Sequence, residues 1–279
     1  MTLRYAYNTN GCAHHGLEDA IAMIADAGYD GVSITLDNQH LNPFAVDHRN
    51  ELKRVATLLA SRNLGSVIET GARFLLDPRR KHEPTLVSAE PEGRARRMEF
   101  LTRSFEIAAD TGAEVVSFWA GAPAPEVDPS QARDWMYAGL AEVLRRADRL
   151  GVVAAFEPEP DMIVGTVTKF EELAAEFPTL RLALDLGHCL VSEDVEPEDA
   201  IISQAHRLGT VHFEDMKRGV HKHLPFGEGD MDLPAVIGAL RKIGFSGLVC
   251  VELSSDSHRA VEMIPDARRA LRAIENVLQ

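Results

Sequence analysis

Chemistry in this chain is expected at Glu157, Asp185, His212 and Glu252. They stand in "FEPEP" (156–160), "LDLGH" (184–188), "VHFED" (211–215) and "VEL" (251–253), each behind or within a short apolar run. Carboxylates and imidazoles are ligands of Mn²⁺, Mg²⁺, Co²⁺ or Zn²⁺. A lone Asp at such a position reads as a helix cap or an ion-pair member. Four acidic or imidazole residues at equivalent positions resist that reading. Three carboxylates gathered without a cation would also repel one another. A divalent-metal site is therefore the expectation.

Segment 212–230, "HFEDMKRGVHKHLPFGEGD", adds further polar groups. His221 and His223 are expected on an exposed Gly/Pro-rich loop. With His188 they could form a second, three-histidine metal site, or they contact substrate or solvent. Lys217 and Arg218 could hold a substrate phosphate or carboxylate, or balance nearby acids. Gly227-Glu-Gly229 is expected to turn the chain back into a helix starting near Asp232. Trp119, at another run's end, could pack on a sugar face. Asn8, Asn10, His14, His15, Asp37 and His40 follow the first two runs and read as rim contacts or local polar structure. His258 could cap a loop or face the site.

Placing these residues together requires a scaffold. Eight runs of about 4–7 residues, rich in Val, Ile, Phe or Leu, have the character of buried parallel strands. They cover 3–8, 31–35, 64–69, 114–119, 152–157, 181–185, 210–213 and 247–252. Eight stretches with apolar residues at three- and four-residue spacing follow them: 17–27, 47–62, 94–111, 130–149, 168–176, 197–207, 233–243 and 260–278. Glycines 28, 112, 151, 209 and 244 mark helix ends, and Asp232-Leu-Pro234 marks a start. Eight βα units in 279 residues predict one (β/α)₈ barrel spanning 1–279 as a single domain. A doubly wound sheet fits less well, because Asn8-Thr-Asn-Gly-Cys12 is not a GxGxxG phosphate loop. Loop 74–92 is expected to be a solvated excursion or a lid. In a barrel, chemistry collects at the C-terminal strand ends, which is where the four candidate ligands lie.

The chain has 29 basic and 43 acidic residues and a formal charge of −14. That acidity disfavours a phosphate backbone, so no nucleic-acid partner is expected. No apolar run approaches the roughly 20 residues of a membrane span. The start, "MTLRYAYNTNGCAHHG", lacks a secretory pattern. Cys12, Cys189 and Cys250 are too few and too widely spaced for a disulfide framework and are expected to pack as small hydrophobes. A cytoplasmic location is expected, and a homodimer is the commonest assembly.

"FEPEP", "LDLGH", "VHFEDMK", "HLPFGEGDMD" and "GLVCVEL" together resemble the xylose isomerase-like barrel superfamily, in its sugar phosphate isomerase/epimerase branch. The resemblance spans nearly the whole chain, with its specific motifs in 156–253. It implies Glu157, Asp185, His212 and Glu252 as metal ligands, with Glu159 an alternative to Glu157. It implies His188 as a substrate contact and Glu157 and Glu252 as the proton-transfer pair. The implied activity is isomerisation or epimerisation of a small keto-sugar or sugar phosphate through an enediolate. The alternatives are an inosose dehydratase-like lyase and an endonuclease IV-like phosphodiesterase. The repair branch's second-site histidines are missing at Glu69, Gly71 and Trp119. A non-catalytic sugar-binding barrel would not need both glutamates.

Overall fold

The computed structural model describes residues 2–278. Strands β1 (Arg4–Asn8), β2 (Gly31–Thr35), β3 (Gly65–Glu69), β4 (Val115–Phe118), β5 (Val153–Phe156), β6 (Arg181–Asp185), β7 (Leu208–Phe213) and β10 (Leu248–Val251) are parallel. They close into a barrel in the order β1-β10-β7-β6-β5-β4-β3-β2. This is the predicted eight-stranded architecture, and every strand falls on a predicted run.

Period-two alternation explains the barrel's interior. Ala6, Val67, Val115, Ala155, Ala183, Leu248 and Cys250 form a compact cluster inside it. The intervening residues, such as Tyr5, Tyr7, Phe118, Phe156 and Phe213, point outward and join the large core under the helices. Small interior side chains suit a narrow eight-stranded barrel. Two residues beyond each interior position, the same face reaches the rim. That step leads from Ala6 to Asn8, Val67 to Glu69, Ala155 to Glu157, Ala183 to Asp185 and Cys250 to Glu252. Cys12, Cys189 and Cys250 are all buried and free.

Helices α1 (Leu17–Asp26), α2 (His48–Ser61), α3 (Pro91–Thr111), α4 (Pro129–Leu150), α5 (Val167–Glu176), α7 (Pro197–Ser203), α8 (Leu233–Lys242) and α9 (Ala260–Val277) match the predicted helices within a few residues. Helix α3 starts three residues earlier than its apolar pattern, because Pro91 occupies the first turn, where its missing N–H costs nothing. Helix α4 is capped by Asp128, whose carboxylate accepts from the Ser130 and Gln131 N–H groups. No helix among the described residues is long and apolar enough to cross a membrane.

Three features were not legible as elements. Helix α6 (Leu186–Ser192) follows β6 without a loop. The expected open loop after β7 is a two-stranded antiparallel ribbon, β8 (Asp215–Lys217) and β9 (Val220–Leu224). Short 3-10 turns occupy Thr9–Cys12 and Ser254–Arg259 at the rim. The ribbon is closed by Asp215, whose carboxylate accepts from Gly227 N (2.9 Å) and Met231 N (3.1 Å). A Cβ at Gly229 would collide with that carboxylate, so glycine is required there. The Gly227–Gly229 turn then leads into α8, capped by Asp232.

Of the expected loop 74–92, residues 74–90 contain no helix or strand and 91–92 already belong to α3, yet the segment is bolted to the barrel. Arg97 of α3 is 1% exposed and donates to the carbonyls of Thr70 (3.0 Å), His82 (2.6 Å) and Pro84 (2.7 Å). Its guanidinium also lies 4.5 Å from the Trp119 ring centre. A solvated excursion is therefore the wrong picture for its inner half, although Arg79, Arg80 and Lys81 are exposed.

Candidate metal centre and active site

Neighbouring strands bring the four expected ligands into one cluster. Asp185 sits opposite His212 in the β6–β7 register, and Cys250, two residues before Glu252, also sits opposite His212. His212 Nδ1 lies 3.1 Å from Glu157 Oε1 and 3.6 Å from Glu252 Oε2. One oxygen or nitrogen from each of Asp185, His212 and Glu252 falls within 4.8 Å of the others. The same holds for Glu157, Asp185 and His188.

Asp185 shows how a cap and a ligand coincide. Its Oδ1 accepts the His188 N–H (2.9 Å) and starts α6. Its Oδ2 is buried and has no hydrogen-bond partner. A buried, unpartnered carboxylate oxygen is costly unless a cation meets it. Burial alone would raise the Asp185 pKa, but His188, His223 and His212 outweigh it and hold the group at about 2. Burial pushes Glu157 up to about 7 against the pull of His212. Burial, reinforced by Asp185 and Glu252, pushes Glu159 up to about 8. Carboxyls crowded into partial protonation are ionised again by a bound cation. On both counts the donor set fits a divalent ion.

Glu69 was not assigned a role from the sequence, and it contacts the cluster directly. Its Oε1 accepts from His212 Nε2 at 2.9 Å and from Ser33 Oγ at 2.9 Å. With Nε2 donating to Glu69, Nδ1 is the nitrogen that faces Glu157 and Glu252, the one a cation between them would engage once its proton has left. Burial disfavours the imidazolium, but Glu69 and Glu157 together hold the His212 pKa well above its ordinary value. Asn8 and Asn10 also act within the protein. Their amides donate to Glu252, at 3.3 Å to Oε2 and 2.6 Å to Oε1. The asparagines were visible in the sequence, but their partner lies over 240 residues away.

The three histidines expected to share a second site are divided. His188 Nε2 meets His221 Nε2 at 3.2 Å, and Glu159 completes that group. His188 Nδ1 is bonded to the Pro158 carbonyl (3.1 Å), which leaves its Nε2 as the acceptor. His223 turns instead toward Glu214, at 3.8 Å, in a group with Asp185. Glu214 is fully buried, and both its oxygens lack partners. Burial and then Asp185 push its carboxyl well above the usual range.

A cavity of about 430 Å³ opens above this cluster. Trp119, His188, His221 and His223 line it, as do Arg73 and Lys81. Lys217 is not in its lining and is exposed on the ribbon. Arg218 is also exposed and pairs with Glu196 (2.7 Å). The structure thus removes Lys217 and Arg218 from the mouth, because the end of β8 and the turn after it hold them exposed on the ribbon. The cations that do face the cavity come from the segment after β3. His258 is exposed outside that lining.

The sequence model of the xylose isomerase-like TIM barrel family matches residues 21–276. The L-ribulose-5-phosphate 3-epimerase UlaE of Shigella flexneri serotype 5b is 26% identical over 237 residues, covering 82% of this chain and 79% of that protein. Among solved structures, an L-ribulose 3-epimerase superposes with a TM-score of 0.78 at 20% identity, over 99% of this chain and 97% of that one. The IolI protein, whose structure carries a bound zinc atom, superposes with a TM-score of 0.73 at 17% identity, over 98% and 96% of the two chains.

Proposed function

The chain belongs to the xylose isomerase-like TIM barrel family, and from that premise we propose that it is a divalent-metal-dependent epimerase or isomerase of a small keto-sugar or sugar phosphate. The observation that carries this reading is the convergence of Glu157 and Glu252 on His212 Nδ1, beside the unpartnered Asp185 Oδ2. Two carboxylates, one just after β5 and one just after β10, then line one cavity. The similarity to UlaE, a sugar-phosphate 3-epimerase, supports the same chemistry.

Glu157, Asp185, His212 and Glu252 would hold the cation. When bound, it would polarise a substrate ketone and acidify the neighbouring C–H. One glutamate, as the carboxylate, would remove that proton and keep it, and the other, carrying a proton taken from solvent, would deliver its own to the opposite face of the planar enediolate, so that the pair exchange protonation states in each turnover. Asn8 and Asn10 fix the rotamer of Glu252. Glu69 holds His212 with Nδ1 toward the cation. His188 Nε2 faces the cavity as a substrate contact, and His223 and Trp119 form further parts of the wall. A second ion, if the enzyme uses one, would sit with Glu159, His188 and His221, and not with all three histidines.

The test uses purified, Mn²⁺-loaded enzyme in D₂O with D-fructose, L-ribulose and L-ribulose 5-phosphate. Deuterium should enter at C3 and the C3 epimer should accumulate. Glu252→Gln should slow this exchange by about 10²-fold or more, the usual contribution of a proton-transfer group. Full exchange by a metal-loaded Glu252→Gln variant would overturn the assignment. Loss of water from the substrate would redirect the reading to a lyase.

A further inference from the structure

A second cavity, of about 300 Å³, lies beside the first. Asn10, Thr35 and Arg73 line both, so the two volumes meet across these three residues. Each volume is within the size of small-ligand pockets, and together they exceed what one small keto-sugar fills. The additional walls are Asp37, Asn38 and Gln39 after β2, with His14 and Phe74. We propose that this lobe binds a second sugar ring, so that the substrate is a glycosylated ketose whose reacting carbons lie over the glutamates. This rests on the epimerase reading of the main cavity.

Three observations argue for a sugar ring. Asp37 and His40 exchange backbone hydrogen bonds (3.0 and 3.1 Å), and the resulting turn presents Asn38 and Gln39 exposed at its tip. Amide side chains offer donors and acceptors to neutral hydroxyls. Phe74 is 46% exposed, one of few large apolar side chains left in solvent, and it lies in this lobe. An aromatic face among amides and a carboxylate is the surface that a sugar ring covers on one side and hydrogen-bonds at its edge. Finally, the lobe's cation and anion balance. The Arg73 guanidinium stands 3.8 Å from the Asp37 carboxylate. A phosphate would seek unshared positive charge, whereas a neutral polyol bonds to both partners.

The doorway between the lobes is held in an unfavourable backbone conformation. Ala72 and Arg73 both have positive φ, 58° and 38°, where side chains other than glycine are strained. The Arg73 carbonyl accepts from His82 N (2.6 Å), and the Arg73 N–H donates to the Gly71 carbonyl (2.7 Å). Arg97 in turn grips the carbonyls of Thr70 and His82. Strain maintained by this much surrounding structure is characteristic of sites that position a ligand contact.

The test measures calorimetric affinities of the Mn²⁺-loaded enzyme for D-fructose, D-fructose 6-phosphate, isomaltulose, leucrose and lactulose. In the three disaccharides, C3 of the ketose is free and a sugar is attached further along the chain. At least one should bind ten or more times tighter than D-fructose. Phe74→Ala should erase that advantage and leave D-fructose affinity and C3 exchange unchanged, and Gln39→Ala should weaken the disaccharide alone. The proposal is overturned if no disaccharide outbinds D-fructose, if Phe74→Ala weakens both equally, or if the phosphate ester is preferred and that preference is lost in Arg73→Gln. D-fructose exchange reports separately on the chemistry. C3 exchange with D-fructose or a disaccharide but no disaccharide preference refutes the second lobe only, and disaccharide preference with no C3 exchange in any of these sugars refutes the epimerase reading only.

Discussion

At the scale of single residues, side chains behind the carboxylate–histidine cluster set its geometry. Glu69 is the clearest case. It accepts a hydrogen bond from His212 Nε2 and so leaves Nδ1 as the nitrogen turned toward Glu157 and Glu252. Glu69→Gln keeps the shape and removes the charge that favours this arrangement. Metal affinity should fall about 10- to 100-fold, the usual effect of losing such a partner, measured by competition with a chromogenic chelator. Unchanged affinity would mean that Glu69 only fills space. His82 provides a pH-dependent counterpart away from the metal ligands. Burial pulls its pKa down from 6.5 to about 4, although the Gly71 carbonyl 2.6 Å from Nδ1 opposes that shift. The unfolded chain therefore binds a proton here between pH 6.5 and 4 that the folded chain resists. This stability is intact above pH 6.5 and is lost as pH falls toward 4, at most on the order of 3 kcal/mol. His82→Asn, which tolerates positive φ, should flatten urea midpoints across that window relative to the parent protein.

At the scale of elements, the barrel strand ends supply the clustered carboxylates and histidine while the segments after them supply the walls. Helix α6 is built around Asp185, because one carboxylate oxygen caps the helix and frees the other for the cluster. The β8–β9 ribbon swings His221 and His223 over the cavity and leaves Lys217 outside. Loop 74–92 is positioned from behind by α3 through Arg97. Arg97→Met would leave three carbonyls without their charged donor and remove the stacked cation from Trp119. The cost should be about 3 kcal/mol or more in denaturant unfolding, since hydrogen bonds to charged groups contribute roughly 1.5–3 kcal/mol each and are not additive. KM should rise with it, because Arg73 and Trp119 lose their support. A variant of parental stability and KM would show that the loop holds itself.

At the scale of the whole molecule, part of the acidity of a chain with net charge −14 lies where it is hardest to bear. Glu69, Glu157, Asp185 and Glu214 are buried, and Glu159 and Glu252 adjoin them. A cation binding the folded chain and not the unfolded one adds stability in proportion to its affinity, about 2.7 kcal/mol at one hundred times Kd. For a chain of this size that corresponds to several degrees in Tm. Treatment with EDTA should lower Tm by about that much, and Mn²⁺ or Zn²⁺ should restore it. A Tm indifferent to chelation and metal would count against the metal centre.

The eight-unit barrel was legible because strand and helix periodicities are local properties, and eight repeats of one grammar leave few closed architectures. Glu157, Asp185, His212 and Glu252 were legible for a related reason. In a parallel barrel every strand's C-terminal end reaches the same rim, so chain position alone groups them. What lay beyond that reach depends on pairings no local pattern encodes. Asn10 meets Glu252 across 242 residues, and Glu69 meets His212 across 143. Likewise, His223 parts from His188 through the register of a ribbon read as an open loop, and Arg97 turns a solvated-looking excursion into a fixed wall. Residue identity and strand position determined which groups gather at the rim. Only tertiary packing decided which of them touch, which partner each histidine nitrogen faces, and how far the cavity extends beyond the carboxylate cluster.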